Sequence, residues 1–332
     1  MAQDIEKERL RGRRLEKLRF WRSACASESP VVTLHNGAPG AAPLIFFHGD
    51  WDNGGLYMAK LTAELGLPVV GLAPHLDPVP ATVEAMAADR LAPLLAAQPE
   101  GPYRIGGFCN GATVAYEAAR QLLAAGRTVE AVLLVAPPSL NAGRVFRTLV
   151  AVLGRLLRGT GPGATPAGRR RLGRAMTRLT ALRRVLGYSL ADLRTVVDRK
   201  RRLQRATRDR IGGGDSERAL TETYARLKTA YEHAVYAYAP PPLPVRVVVF
   251  GTGRDGAGRR LAGYDVAYDG RYWSDLGPGV ECVAVPGDHY TCIAEHAPAL
   301  ARAITTALDR RPDPAPAPAP LRPVLAGAET CP

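Results

Sequence analysis

No run of 18 apolar residues occurs anywhere in this chain, so it carries no candidate transmembrane helix. The N-terminal stretch is charged throughout and lacks the apolar centre of a secretory signal. Cysteine is scarce. The five present (Cys25, Cys109, Cys282, Cys292 and Cys331) are too scattered for a zinc spacing or a disulfide framework, and no metal site is expected. No segment repeats. Basic stretches are not interleaved with aromatics, and no nucleic-acid-binding motif is present, so no nucleic-acid partner is expected. These absences lead to the expectation of a cytoplasmic protein.

What is present suits an enzyme with one large core. The chain has 332 residues, 46% of them hydrophobic, enough for a single domain with an insertion. Strand-like and helix-like segments alternate: strand 43–48, helix 56–65, strand 68–72, helix 83–97, strand 103–107, helix 110–124, strand 130–135. That rhythm predicts an α/β fold, a mainly parallel sheet with helices on both faces.

Three short stretches carry chemistry. The first is Gly107-Phe108-Cys109-Asn110-Gly111, between a strand and a helix. Glycines two before and two after a nucleophile leave room for a sharp strand-to-helix elbow. Cys109 would project at its tip, where the Asn110 N–H faces a developing oxyanion and the positive helix end favours a thiolate. The second is Gly287-Asp288-His289-Tyr290, after the strand-like run Val280–Pro286 and before a helix from about Cys292 to Leu308. A histidine on the loop after the last strand is where an α/β-hydrolase places its general base, and His289 is the candidate. The third is Pro43–Gly55, a buried strand ending in His48-Gly49-Asp50 and the pair Gly54-Gly55. In hydrolases of this architecture that loop supplies a second oxyanion N–H, here assigned to Asp50, with His48 structural.

Together with Ala81–Leu91 and Gly101–Leu122, these stretches resemble the thioesterase domains of nonribosomal peptide and polyketide synthases, over about Val31 to Leu308. The resemblance implies an α/β-hydrolase fold with a helical lid, an acyl-enzyme on Cys109 with His289 as base, and a substrate presented on the phosphopantetheine arm of an acyl or peptidyl carrier protein. It implies no bound cofactor. The sequence departs from the family in three places. The elbow holds cysteine where serine is usual, and the turn after His48 lacks the usual His-Pro-x-Gly-Gly form. The triad acid usually follows the strand after the elbow helix, where Ala136-Pro137-Pro138 stand here. The expected replacement is Asp255, on the loop after strand Val245–Phe250. A thiol ionises readily enough that a Cys–His dyad is the alternative.

Charge is concentrated. Residues 141–210 hold 19 Lys and Arg against 3 Asp and Glu, in a chain whose whole net charge is +13. Apolar residues at helical spacing, Val145 to Leu156 and Leu172 to Leu186, predict amphipathic helices there, with 159–168 as a break. This basic block falls where such hydrolases insert their lid, expected over about 141–235. Its charged face reads as a solvated surface in an arginine-biased protein, as a docking face for an acidic carrier protein, or as a membrane or nucleic-acid surface. Residues 1–30 read as a charged N-terminal helix and 309–332 as a Pro/Ala-rich disordered tail around residues 31–308. The function expected is a thioesterase or acyltransferase acting on carrier-bound chains and passing them to water or a small-molecule acceptor. The alternatives are a cysteine-dependent esterase or lactone hydrolase for small substrates, and a non-catalytic partner protein.

Overall fold

A computed structural model describes residues 31–35, 41–49, 56–76, 78–187, 215–254, 257, 259–260, 264–289 and 291–310. Several expected features therefore lie outside the described residues: the N-terminal helix, Asp50, Asp255, Cys25, Cys331, residues 188–214 of the basic block and the tail beyond Arg310.

Seven strands form one sheet: β1 (Val31–His35), β2 (Leu44–Phe47), β3 (Val69–Leu72), β4 (Tyr103–Phe108), β5 (Val129–Val135), β6 (Val247–Gly251) and β7 (Val280–Ala284). Their spatial order is β1-β3-β2-β4-β5-β6-β7. All neighbours are parallel except β1, which runs antiparallel to β3. The central strands read as continuous apolar runs because both sheet faces are covered. Ile45, Phe47, Ile105, Val132, Leu134, Val247 and Val249 enter one core, shared with helices α2 (Val83–Ala97) and α3 (Asn110–Ala124). The alternate residues Leu44, Phe46, Leu133, Val135, Val248 and Phe250 enter a second, under α1 (Leu56–Leu65), α7 (Thr291–Ala294) and α8 (Ala297–Asp309). The sheet with helices on both faces is the expected fold class.

The expected C-terminal helix is two. It breaks after Ala294 and restarts at Ala297, with Pro298 in the first turn of α8, where a missing N–H costs nothing. Between β5 and β6 come α4 (Arg144–Leu156), α5 (Pro166–Gly187) and α6 (Asp215–Tyr236), with the glycine-rich segment separating the first two as expected. Two anchors fix the end of α6. The buried Asn141 amide donates to the carbonyls of Val235, Tyr236 and Tyr238. The Tyr231 hydroxyl accepts from the His75 N–H at 2.7 Å and donates to the His75 carbonyl.

Among the described residues, the histidines His48, His75 and His289 are buried. Burial holds His48 well below its ordinary value. It lowers His75 to about 4, aided by Arg90 and opposed by Asp89, and His289 to about 4. A histidine with a depressed folded-state pKa binds fewer protons than in the unfolded chain, so stability is lost as pH falls from about 6.5 towards 4. Each such group contributes a slope of up to about 1.4 kcal/mol per pH unit in that window. Urea unfolding followed between pH 7.5 and 5 should show a midpoint that drops steadily with acid. His75→Gln should flatten that drop by one proton's worth; an unchanged slope would mean that His75 is not among the groups responsible.

Candidate active site

The elbow occurs as the spacing predicts. Cys109 sits between β4 and α3 with φ 54 and ψ −126, a conformation that strains any residue with a β-carbon. Its neighbours make the turn possible by lacking one. A β-carbon on Gly107 would lie 2.5 Å from the Gly111 carbonyl oxygen, and one on Gly111 would lie 2.4 Å from the Phe47 oxygen. The Cys109 N–H continues the ladder to the Val135 carbonyl at 3.0 Å, so the strain is held by the sheet itself. The half-buried thiol stands at the N-terminus of a 15-residue helix, where the helix dipole favours a thiolate.

β2 and β4 are neighbours in register, Phe47 opposite Gly107, so their following loops emerge side by side. A β-carbon on Gly49 would stand 1.9 Å from the Phe108 oxygen, 2.3 Å from the Gly111 nitrogen and 2.8 Å from the Asn110 nitrogen. The chain after β2 therefore lies directly on the elbow, with Asn110 and the residue preceding Asp50 in close approach. His48 is buried at the end of β2, its N–H bonded to the Leu72 carbonyl at 3.0 Å, which fits its expected structural role.

His289 reaches the same place from β7. Gly287 turns with φ 89. Asp288 then caps α7, accepting from the Thr291 N–H at 2.9 Å and its hydroxyl at 3.0 Å. The His289 ring stacks on Phe108, the residue before Cys109, with centroids 5.1 Å apart, and on Tyr268 at 3.8 Å. Burial lowers its pKa to about 4, against the pull of Asp265 and Asp288 and with a smaller contribution from Arg184. The imidazole is therefore neutral at pH 7, the form that accepts a proton.

Ala136 is fully buried with φ 42, and no carboxylate follows β5 there. Sequence reasoning missed the side chains that surround the pair instead. Tyr236, at the end of α6, has its phenol pKa pushed up by burial and lies within electrostatic reach of Arg184, Glu232, Cys109 and Asp265. Arg184 of α5 clamps Asp265, its Nε 3.1 Å from Oδ2. A buried carboxylate on the post-β6 loop, Asp269, accepts from Arg254, Arg271 and Tyr264. These hydrogen bonds outweigh the effect of burial and hold its pKa below the usual value, so that residue is committed to the loop. The Arg184–Asp265 contact joins residues 81 positions apart, and no local pattern announces it.

A thiol on a strained elbow, a neutral imidazole stacked on the preceding residue and a glycine turn against the helix N-terminus suit acyl transfer. A family model described as thioesterase domain matches residues 58–308. The chain belongs to that family. It is similar to the NocB thioesterase domain solved as a covalent complex with a fluorophosphonate nocardicin G analogue: 26% identity, 84% of this chain and 100% of that one covered, TM-score 0.51. The fold is shared with the Vlm2 thioesterase domain bound to a dodecadepsipeptide, at 21% identity, with 84% and 98% of the chains covered and TM-score 0.51. Among curated proteins, indigoidine synthase of Dickeya dadantii (strain 3937) is 37% identical over 141 residues, 40% of this chain and 9% of that protein. The non-reducing polyketide synthase crz7 of Cladonia metacorallifera is 41% identical over 86 residues, 25% and 4% respectively. The chain thus matches less than a tenth of the length of these relatives. Among the described residues, no helix of this thioesterase domain is long and apolar enough to cross a membrane, and no cluster of metal-ligating side chains occurs.

The close approach of Gly49 gives a direct test. Gly49→Ala would drive a methyl group into backbone atoms that cannot yield without moving the elbow. Alkylation of Cys109 by iodoacetamide should slow more than tenfold, with a loss of stability of about 2 kcal/mol or more. Gly126→Ala is the control: it has φ 74 and nothing within 4 Å of the added carbon. It should cost about 1 kcal/mol and leave the Cys109 alkylation rate unchanged. Equal rates in wild type and Gly49→Ala would show that the turn does not shape the site.

Proposed function

We propose that this thioesterase domain releases acyl or peptidyl chains from a carrier protein's phosphopantetheine thioester through an acyl-enzyme on Cys109. The observation that carries this reading is the pairing of a thiol at φ 54 on the elbow with His289 stacked on the adjoining Phe108. His289 takes the thiol proton as sulfur attacks the thioester carbonyl. The tetrahedral oxyanion meets the Asn110 N–H and, in this reading, the N–H of Asp50. Collapse expels the phosphopantetheine thiolate, which His289 reprotonates. A second nucleophile then gives its proton to His289 and attacks the acyl-cysteine, restoring the free thiol. No metal or organic cofactor enters the cycle.

Cysteine changes which acceptor wins. Transfer from a carrier thiol to Cys109 exchanges one thioester for another and preserves the acyl group's reactivity. Thioesters favour amine attack over water more than oxyesters do. The second step is therefore assigned to an amine or an intramolecular acceptor, with hydrolysis a slow side reaction. Intact mass spectrometry after mixing with acyl-carrier thioesters should show an adduct that Cys109→Ala abolishes and that substitutions at Cys282 or Cys292 leave in place. Adding an amine should shift wild-type product towards amide, while Cys109→Ser shifts towards acid or stalls as acyl-enzyme. An adduct that survives Cys109→Ala sinks the assignment, and no adduct with any carrier substrate would favour the non-catalytic alternative. Product that is only free acid, at a rate that amines leave unchanged, makes the protein a plain hydrolase.

The helical insertion α4–α6 is read as the lid, and its arginines as the carrier-docking face. Arg169, Arg170 and Arg171 are exposed at the start of α5, where opposite charge on a carrier would raise the association rate and salt would screen it. Charge reversal at these three should weaken turnover of carrier-bound substrate, most at low salt, and barely alter a small soluble thioester. Equal loss on both substrates would mean that the insertion, not docking, was damaged.

A further inference from the structure

Asp265 has a place in the site that its position in the sequence does not reveal. Its carboxylate opens the short turn Val266–Tyr268, accepting from the Ala267 N–H at 3.0 Å. That turn presents Tyr268, whose ring lies 3.8 Å from the His289 ring at an interplanar angle of 23°. The turn is tied to the loop after β5 as well, since the Ser139 N–H donates to the Ala267 carbonyl at 2.7 Å. On its outer side Asp265 is held by the Arg184 guanidinium, which comes from α5 of the helical insertion and stands 6.0 Å from the centre of the Tyr268 ring. The base, its aromatic platform, a carboxylate and a cation from the insertion therefore form one contiguous group.

We propose that Asp265 is the positioning carboxylate of His289, acting through the Tyr268 turn and its own charge, and that Arg184 couples this carboxylate to the helical insertion. The proposal rests on the reading of His289 as the base. It assigns to Asp265 the orienting work that no residue performs at Ala136, and it ties the placement of α5 to the state of the base. Burial holds His289 neutral, and with α5 docked the Arg184 charge offsets the opposing pull of Asp265. If α5 moves away, the uncompensated carboxylate raises the proton affinity of the imidazole.

The charges facing His289 come from every side: Asp265 from the post-β6 turn, Arg184 from α5, and Asp288 from its own turn, where Thr291 occupies it. Tyr236 of α6 interacts electrostatically with Arg184, Glu232, Cys109 and Asp265. The two partners of the proposed device carry opposite signs, which gives the test its form. Asp265→Asn keeps an acceptor for the Ala267 N–H, so the turn survives while the charge goes. Arg184→Gln removes the cation.

The full chain would be assayed with an acyl-N-acetylcysteamine thioester from pH 3 to 9, and by iodoacetamide alkylation of Cys109 over the same range. Asp265→Asn should move the acid limb to lower pH and Arg184→Gln should move it to higher pH, each by about half a unit or more. The double variant should return close to wild type. A purely structural role for either residue would lower the rate without moving the limb, and so overturns the proposal. It is also overturned if both variants move the limb the same way, or if Asp255→Asn moves it and Asp265→Asn does not. A limb that His289→Gln leaves in place would instead refute the assignment of the base, separating the two failures.

Discussion

Everything at this site depends on one strained residue. Cys109 holds a positive φ that its own β-carbon disfavours, and three glycines clear the space in which that conformation fits. β4 sits at the centre of a parallel sheet, hydrogen-bonded along its length to β2 and β5. The turn that ends it therefore cannot relax without breaking ladder bonds on both sides. Strain of about 1–3 kcal/mol persists only where surrounding structure over-determines it. The same closeness that forces the conformation brings the Asn110 N–H and the backbone after β2 together, so the proposed oxyanion site and the presentation of the thiol have a single structural cause.

The elbow was legible in the sequence because its requirements are local: glycines at fixed offsets from Cys109, a buried strand before and a helix after. His289 was legible for a similar reason, since Gly287 supplies the turn and Asp288 caps the helix that follows. Most element boundaries fell within two residues of expectation, because the strands are short apolar runs between turn residues. The C-terminal break was written in Ala297-Pro298, yet the apolar periodicity on either side hid it. Asp265, Arg184, Tyr236 and Tyr268 were not legible. Arg184 and Asp265 are 81 positions apart, and they meet only because α5 folds back over the loop after β6. The charge of the basic block showed in composition, but that one of its arginines turns inward did not.

The insertion is accordingly not a uniform charged surface. α5 exposes Arg169–Arg171 at one end and lends Arg184 to a partly buried ion pair at the other. The outer arginines act through water and are screened by salt, so under the proposed docking they would tune encounter more than affinity. Arg184 sits where desolvation raises the stakes: deleting one partner of such a pair leaves the other charged and uncompensated. One helix thus combines a long-range electrostatic role with a short-range one, and a rigid-body shift of α5 would alter both together.

Cysteine at the elbow and alanine at position 136 belong to one argument. An alcohol nucleophile needs a strongly basic imidazole, and a carboxylate fixed on that imidazole supplies the basicity. A thiol at a helix N-terminus ionises far more easily, so the direct hydrogen-bonded acid can be lost while the orientation of the base is still required. Stacking between Phe108 and Tyr268 provides orientation without charge, and Asp265 adds charge at one remove, offset by Arg184. Such an arrangement keeps His289 neutral and weakly basic, which suits a nucleophile that needs little help and an acyl-thioester that must stay reactive until its acceptor arrives. A serine placed in the same surroundings would face a weaker base than such a nucleophile calls for, so its acylation would be slow. On this argument the exchange of serine for cysteine and the loss of the acid after β5 are a single chemical adjustment rather than two independent departures.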